Sequence, residues 1–209
     1  MAKREEVVAK AGKKPIQDLR EWLGEVEALG DLVRVKDSVS CDEEMSAIGY
    51  LVAKQKPSPA ILFDNIKGYE KSSYKAQSLW NILGPSIPRI ALTMEEPHDT
   101  PIVELIRRVK DKLKNRMPPR EVPAAQAAMY QNTLTGDKID LSQLPIPRHW
   151  PLDGGRYAGT ADCVITRDPD SGYLNVGTYR MMLQSKNECG LYLSPGKDAR
   201  LHITRSWQQ

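Results

Sequence analysis

The stretch from Thr160 to Gln184, TADCVITRDPDSGYLNVGTYRMMLQ, decides how this chain is read. Ala161, Cys163 and Ile165 alternate with Asp162, Val164 and Thr166, the period of two that marks a strand. Asp168-Pro169-Asp170-Ser171-Gly172 then supplies turn chemistry. Proline fixes φ, the Asp and Ser side chains bond back to the backbone, and the glycine is free to take positive φ. A returning strand is expected from Tyr173 to Gln184. Asn175 and Arg180 interrupt its apolar run, although a hairpin needs neither residue to fold. Polar groups at half-buried strand positions need partners. One reading is a bound ligand or ion; the other is a local bond from Asn175 and a surface ion pair from Arg180.

The spacing sets a condition. Asn175 and Arg180 are five residues apart, so a regular strand points them to opposite faces. Both serve one site only if the pairing breaks between them, and Gly177 is the natural place for a bulge or kink. Close backbone packing is the second reason for a glycine there.

Working outward, the hairpin is preceded by Leu144-Pro145-Ile146-Pro147-Arg148-His149-Trp150 and Asp153-Gly154-Gly155-Arg156. From Arg120 to Gln143 the pattern is weak and reads as loop. Pro101 to Arg116 reads as a helix capped by Thr100, with proline in its first position and a buried stripe of Ile102, Leu105, Ile106, Val109 and Leu113. Its opposite side carries Arg107, Arg108, Lys110, Lys112 and Lys114, either a solvated face or a surface for phosphate or acidic groups. Near the start, Asp18 caps a helix whose inner face is Leu19, Trp22, Leu23, Val26 and Leu29, and Gly30 ends it. A short strand at Leu32 to Val35, a helix from Asp42 to about Gln55 and a buried strand from Ala60 to Ile66 follow, the last turned at Lys67-Gly68-Tyr69. Gln77 to Leu83 reads as another strand and Arg89 to Met94 as a short helix. Helices and strands alternate up to Arg116 and strands dominate afterwards, which gives an α+β class.

The chain has 209 residues, 40% hydrophobic and 27% charged, with a net charge of +3. This is an ordinary globular balance. The small charge and the single Phe argue against nucleic acid. No apolar run approaches the ~20 residues of a membrane span, so no membrane role is expected. The first fourteen residues, MAKREEVVAKAGKK, read as a flexible tail without signal-peptide features. Cys41, Cys163 and Cys189 are odd in number and far apart, which points to reduced thiols in the cytoplasm.

Taken in order, these segments resemble the UbiD-like decarboxylases, which use prenylated flavin mononucleotide. Members carry an LPIPRHWP-type segment, a TRDPDTG-like turn and an NVGxYR strand in this sequence. Three earlier segments match as well: Asp18 to Leu23, Gly30 to Val35, and Pro59 to Tyr69. The resemblance runs from about Pro15 to the end. It implies a small N-terminal α/β region over 15–117, after the tail at 1–14, and then over 118–209 the first part of a strand-rich, split-barrel-like flavin-binding domain, incomplete at the C-terminus. The implied activity is reversible, non-oxidative decarboxylation of an aromatic or α,β-unsaturated carboxylic acid, releasing CO₂. The implied cofactors are prenylated FMN, Mn²⁺ (or Mg²⁺) and K⁺, with a flavin prenyltransferase as supplier.

Residue by residue, the resemblance makes Asn175 a metal ligand, the metal bridging to the flavin phosphate. Thr178, Tyr179, Arg180 and Lys197 become cofactor contacts. Arg180 is the catalytic residue, part of a Glu-Arg-Glu network beside the reacting carboxylate. Many members place a histidine ligand where this chain has Asp198, so a carboxylate becomes the second metal ligand; a surface ion pair with Lys197 or Arg200 is its alternative role. His202 falls four residues too late for that motif and is expected on a helix surface, while His149 stands equally as structural or functional. The third metal ligand and the acid-base glutamates of the family lie further downstream than this chain reaches. The chain is therefore expected to be the amino-terminal part of such an enzyme, as a fragment, a truncated gene product or one half of a split protein lacking its C-terminal portion; the resemblance also implies a homo-oligomer. The alternative is a non-catalytic subunit or pseudo-enzyme that binds flavin or a partner protein, and a module for ordinary FMN is a third reading.

Overall fold

Asp18 opens the first helix as its chemistry requires. In the computed structural model, which describes residues 15–72, 76–115 and 117–208, its carboxylate accepts from the amides of Arg20 and Glu21. Both donors have no partner inside the helix. Helix α1 (Leu19–Ala28) buries Trp22 and Val26 with Ala60. Leu19, expected on the same face, stands exposed in the first turn. Gly30 follows at φ +71°, the left-handed conformation that ends a helix cheaply only at glycine.

The described residues form two compact units. The first gathers the described residues up to Lys36 with Gly49–Asp64 and Gln77–Asn132. Its sheet has the order β1 (Leu32–Val35), β2 (Ala60–Phe63), β3 (Ser78–Trp80), β1 parallel to β2 and β3 antiparallel to it. All four β2 residues are buried, as a central strand made only of apolar residues should be. The connection from β1 to β2 carries α2 (Glu44–Ala53), part of which belongs to each unit. Ser86 caps α3 (Ile87–Thr93), and from this helix the fully buried Arg89 guanidinium pairs with Asp31 at 2.6 Å. It also donates to the carbonyls of Ser58, Asn81 and Leu83, tying strand ends and a loop to one charge.

Two expectations for the next helix are corrected. Helix α4 (Ile102–Lys112) has Pro101 at its cap position, and the Thr100 hydroxyl donates instead to the Pro97 carbonyl at 2.6 Å. Of the apolar stripe only Leu105 is buried; Ile102, Ile106 and Leu113 are exposed. Periodicity sets which side chains share a face, but nothing among the described residues covers most of this one.

The second unit gathers the described residues of Asp37–Ile48, Asn65–Ala76 and Thr133–Gln209. It holds a three-stranded antiparallel sheet in the order β4 (Tyr157–Gly159), β7 (Met181–Leu183), β8 (Cys189–Leu191), and a separate hairpin of β5 (Val164–Arg167) and β6 (Leu174–Gly177). Helix α5 (Asp198–Gln208) packs on that hairpin. The expected single returning strand is thus corrected: it is two strands, β6 and β7, which belong to different sheets. The loop expected over 120–143 contains four single 3₁₀ turns, at Ala124–Gln126, Ala128–Tyr130, Gly136–Lys138 and Leu141–Gln143. The architecture is mixed helix and sheet, as the alternation of patterns implies. All three cysteines are free, and no described helix is long and apolar enough to cross a membrane.

Candidate functional site

The turn between β5 and β6 forms as its residues dictate. Gly172 takes φ +71°, and its amide donates to the Asp168 carbonyl at 2.9 Å. The Asp168 carboxylate accepts from the Asp170 amide and the Ser171 hydroxyl, and pairs with Arg205 of α5 at 2.7 Å. The Ser171 hydrogen bond, with Arg205 beside it, holds the Asp168 carboxyl below its ordinary pKa.

This turn sets the register that places Thr166 opposite Asn175. Their side chains meet on one face, Asn175 Nδ2 donating to Thr166 Oγ1 at 3.3 Å, while Ile165 and Val176 point outward and are exposed. Asn175 is buried, and its Nδ2 also donates to the Tyr179 hydroxyl at 3.3 Å. That hydroxyl in turn accepts from the Ala199 amide in the first turn of α5 at 3.2 Å. One phenol oxygen therefore joins a strand residue to a helix N-terminus.

Gly177 makes this possible. A Cβ there would lie 2.5 Å from Tyr179 Cε2 and 2.9 Å from its hydroxyl oxygen, so the Tyr179 ring folds back over the glycine. The β5–β6 ladder runs in regular register up to Gly177 and ends there, and the space where its side chain would stand is filled by the Tyr179 side chain rather than by the expected backbone.

Thr178 and Arg180 are exposed, on the linker between β6 and β7. The Arg180 guanidinium lies 5.8 Å from the Tyr192 ring centroid and makes no ion pair among the described residues. It lines an open hollow of about 490 Å³ with Tyr157, Met182, Gln184 and Tyr192. Asn175 and Arg180 share no partner among the described residues, although the strand is broken between them. Lys197 is exposed beside the positive-φ Gly196. Asp198 is the first residue of α5, exposed, and forms no ion pair with Lys197 or Arg200 among the described residues. The structure thus brings together Asn175, Tyr179 and the start of α5, and sets Arg180 in the hollow beside β7 and β8.

His202 is a correction. It is buried, not on the helix surface, with Nδ1 3.0 Å from Thr166 Oγ1 and its ring edge-on to Tyr173 at 6.3 Å. It lies three residues after the buried Ala199, so both fall on the face that α5 turns to the hairpin. That spacing is the signal that sequence reasoning passed over, together with Thr166. His149 Nδ1 lies 3.4 Å from the Ser46 hydroxyl. Burial pushes this imidazole below its ordinary pKa, with Asp153 partly offsetting.

For a metal, the donors are oxygens. Among the described residues Asn175 Oδ1 accepts no hydrogen bond and the Asp198 carboxylate forms no ion pair. This set suits a hard cation in kind, but two donors fall short of a full coordination shell. Among the described residues no group of three His, Cys, Asp or Glu is placed to hold a metal.

The 3-octaprenyl-4-hydroxybenzoate carboxy-lyase N-terminal domain matches residues 23–109, and the Rift-related domain of the same enzymes matches residues 120–209. The chain belongs to the UbiD-like family. A phenolic acid decarboxylase of Bacillus subtilis is 33% identical over 195 residues, covering 91% of this chain and 40% of the relative. One from Sedimentibacter hydroxybenzoicus is 34% identical over 201 residues, with 92% and 40% covered. Among solved structures, the vanillic acid decarboxylase of the same organism in closed form superposes with a TM-score of 0.82 at 30% identity, covering 92% of this chain and 40% of that one. An evolved dimeric form of the UbiD-class enzyme HmfF from Pelotomaculum thermopropionicum, in complex with prFMN, gives 0.77 at 27%, with 92% and 42% covered. The chain spans about 40% of the length of these relatives.

Proposed function

We propose that this chain supplies the cofactor-binding part of a non-oxidative, reversible decarboxylase acting on an aromatic or α,β-unsaturated carboxylic acid. The observation that carries the reading is the Asn175–Tyr179–Ala199 arrangement: a buried amide whose oxygen is unclaimed, fixed through one phenol to the positive end of a helix. A helix N-terminus favours anions and would take the flavin phosphate, and Asn175 Oδ1 and Asp198 are the residues that would hold a cation. Mn²⁺ or Mg²⁺ suits these oxygen donors; K⁺ and the prenylated form of FMN enter on the family resemblance, and the HmfF complex with prFMN supports the latter. When bound, the cofactor supplies the electron sink for loss of CO₂. Thr178, Tyr179 and Lys197 would contact it. Arg180, permanently charged and free of an ion pair among the described residues, orients the substrate carboxylate through its planar fork. Decarboxylase activity in the relatives supports the same reaction class.

The same proposal divides the chain at 117/118, with an N-terminal α/β region and the first part of a split-barrel flavin-binding domain; the two family matches, 23–109 and 120–209, support that division. It also includes a homo-oligomeric assembly, a flavin prenyltransferase as cofactor source, and a reducing compartment such as the cytoplasm for three free thiols.

The test is titration of the chain with prenylated FMN, with and without Mn²⁺, followed by flavin absorbance, and then CO₂ release from a panel of aryl and acrylic acids. Expected are Mn²⁺-dependent binding weakened by Asn175→Ala, and no turnover by these 209 residues alone. General acid–base catalysis contributes typically about 10²–10⁴-fold, and the family resemblance assigns that role to no glutamate of this stretch. Binding unaffected by Asn175→Ala would overturn the site. Turnover abolished by Arg180→Ala would show the machinery to be complete in this chain.

A further inference from the structure

The turn that follows β2 builds a second site, one that the proposed decarboxylase chemistry does not use. Lys67, Tyr69 and Lys71 line an open hollow of about 730 Å³, with Cys41 and Arg156 in the same wall. None of these residues belongs to the Asn175–Tyr179 cluster or to the Arg180 hollow. The turn is fixed from inside: the Lys67 amide donates to the Val39 carbonyl, and the Tyr69 hydroxyl donates to the Ser142 carbonyl at 3.1 Å. Lys67 and Lys71 are therefore held on a rigid frame although their side chains are exposed.

The charges in this hollow are unbalanced. Arg156 is half-buried, and its Nη1 donates to Cys41 Sγ at 3.2 Å and to the Ile146 carbonyl at 3.3 Å. It has no carboxylate partner among the described residues. Asp42 lies within electrostatic reach of Arg156, but its carboxylate is bonded to Arg148 Nε at 2.7 Å. Glu70 is the one acidic residue in the wall, and it turns a carboxylate oxygen back to the Gly68 amide at 3.0 Å. Among the described residues of the wall three cations thus face one carboxylate, which lies within electrostatic reach of both lysines. A half-buried guanidinium whose nearby carboxylate is already bonded to another arginine keeps part of its charge uncompensated, and its planar fork suits an oxyanion.

We propose that this hollow is a binding site for a phosphate-type dianion, free or as a phosphomonoester, held by Lys67, Lys71 and Arg156. The surplus of two positive charges matches a dianion, and the fork of Arg156 matches tetrahedral oxygens better than a single point charge does. Burial between the thiol and the backbone pre-positions the guanidinium; the two lysines close on the ligand from the rim.

The experiment is thermal unfolding of the chain against inorganic phosphate at constant ionic strength, with perchlorate as the monoanion control and glycerol phosphate as a second arm. Phosphate is expected to raise Tm saturably where perchlorate does not. The double variant Lys67→Gln/Lys71→Gln should raise the half-saturating phosphate concentration at least about fivefold, the order expected for removing nearby charges in a solvated site. Lys110→Gln, on α4, should titrate like the parent. The two lysine side chains are exposed, and among the described residues their partner is the exposed Glu70 carboxylate, so circular dichroism should show the double variant folded. A double variant that titrates like the parent, or perchlorate acting as phosphate does, overturns the site. A response to glycerol phosphate comparable to that of phosphate assigns the site to phosphomonoesters, and phosphate alone assigns it to the free ion.

Discussion

Gly177→Ala should damage this protein far more than a methyl group usually does. The added Cβ would stand 2.5 Å from Tyr179 Cε2 and 2.9 Å from Cζ and the hydroxyl oxygen, all well inside contact. The ring tip is not free to swing away. Tyr179 is buried, and its hydroxyl accepts from both Asn175 Nδ2 and the Ala199 amide. Overpacking costs about 1–3 kcal/mol, and displacing the ring loses two hydrogen bonds worth about 1 kcal/mol each. A total of about 3–5 kcal/mol follows. With a urea m-value of about 2 kcal/mol/M, the middle of the usual range, the midpoint should fall by roughly 1.5–2.5 M. The control is a double-mutant cycle with Tyr179→Ala, which removes the obstacle; in that background Gly177→Ala should cost less than about 1 kcal/mol. An equal cost in both backgrounds, or a cost below about 1 kcal/mol in the parent, would refute the idea that the glycine exists to admit the ring.

Two further outcomes are expected. Burial holds His149 below its ordinary value of 6.5, with Asp153 partly offsetting. Between the folded pKa and 6.5 the unfolded chain takes up a proton that the folded chain does not, so stability is intact above that range and falls as pH drops through it. His149→Gln should flatten this limb in urea titrations between about pH 5 and 7, and an unchanged slope would count against it. Asp31→Asn should cost about 3 kcal/mol or more, because it leaves the fully buried Arg89 guanidinium without its carboxylate; an unchanged urea midpoint would sink that reading.

Local chemistry was legible in the sequence, and contacts between distant segments were not. The turn at Asp168–Gly172 could be read because proline, two short acids and a glycine act within five residues. The Asp18 cap and the buried run Ala60–Phe63 were legible for the same reason. The stripe on α4 showed that Ile102 and Ile106 share a face but not whether anything covers it. His202 was misjudged because its burial depends on α5 lying across a hairpin more than twenty residues earlier in the chain. Arg89 gave no signal at all, since a charged residue in a short helix is usually solvated. The site itself stands between these extremes. Parity alone required a break between Asn175 and Arg180, and a glycine marked where it falls. What parity did not contain is the agent. Tyr179 folds over Gly177 and bonds to α5, which ends the β5–β6 ladder and lets the chain re-enter as β7 beside β4 and β8. The five-residue spacing is then a consequence of changing sheets: it leaves Asn175 on the hairpin with the helix N-terminus and releases Arg180 to the hollow beside Tyr192.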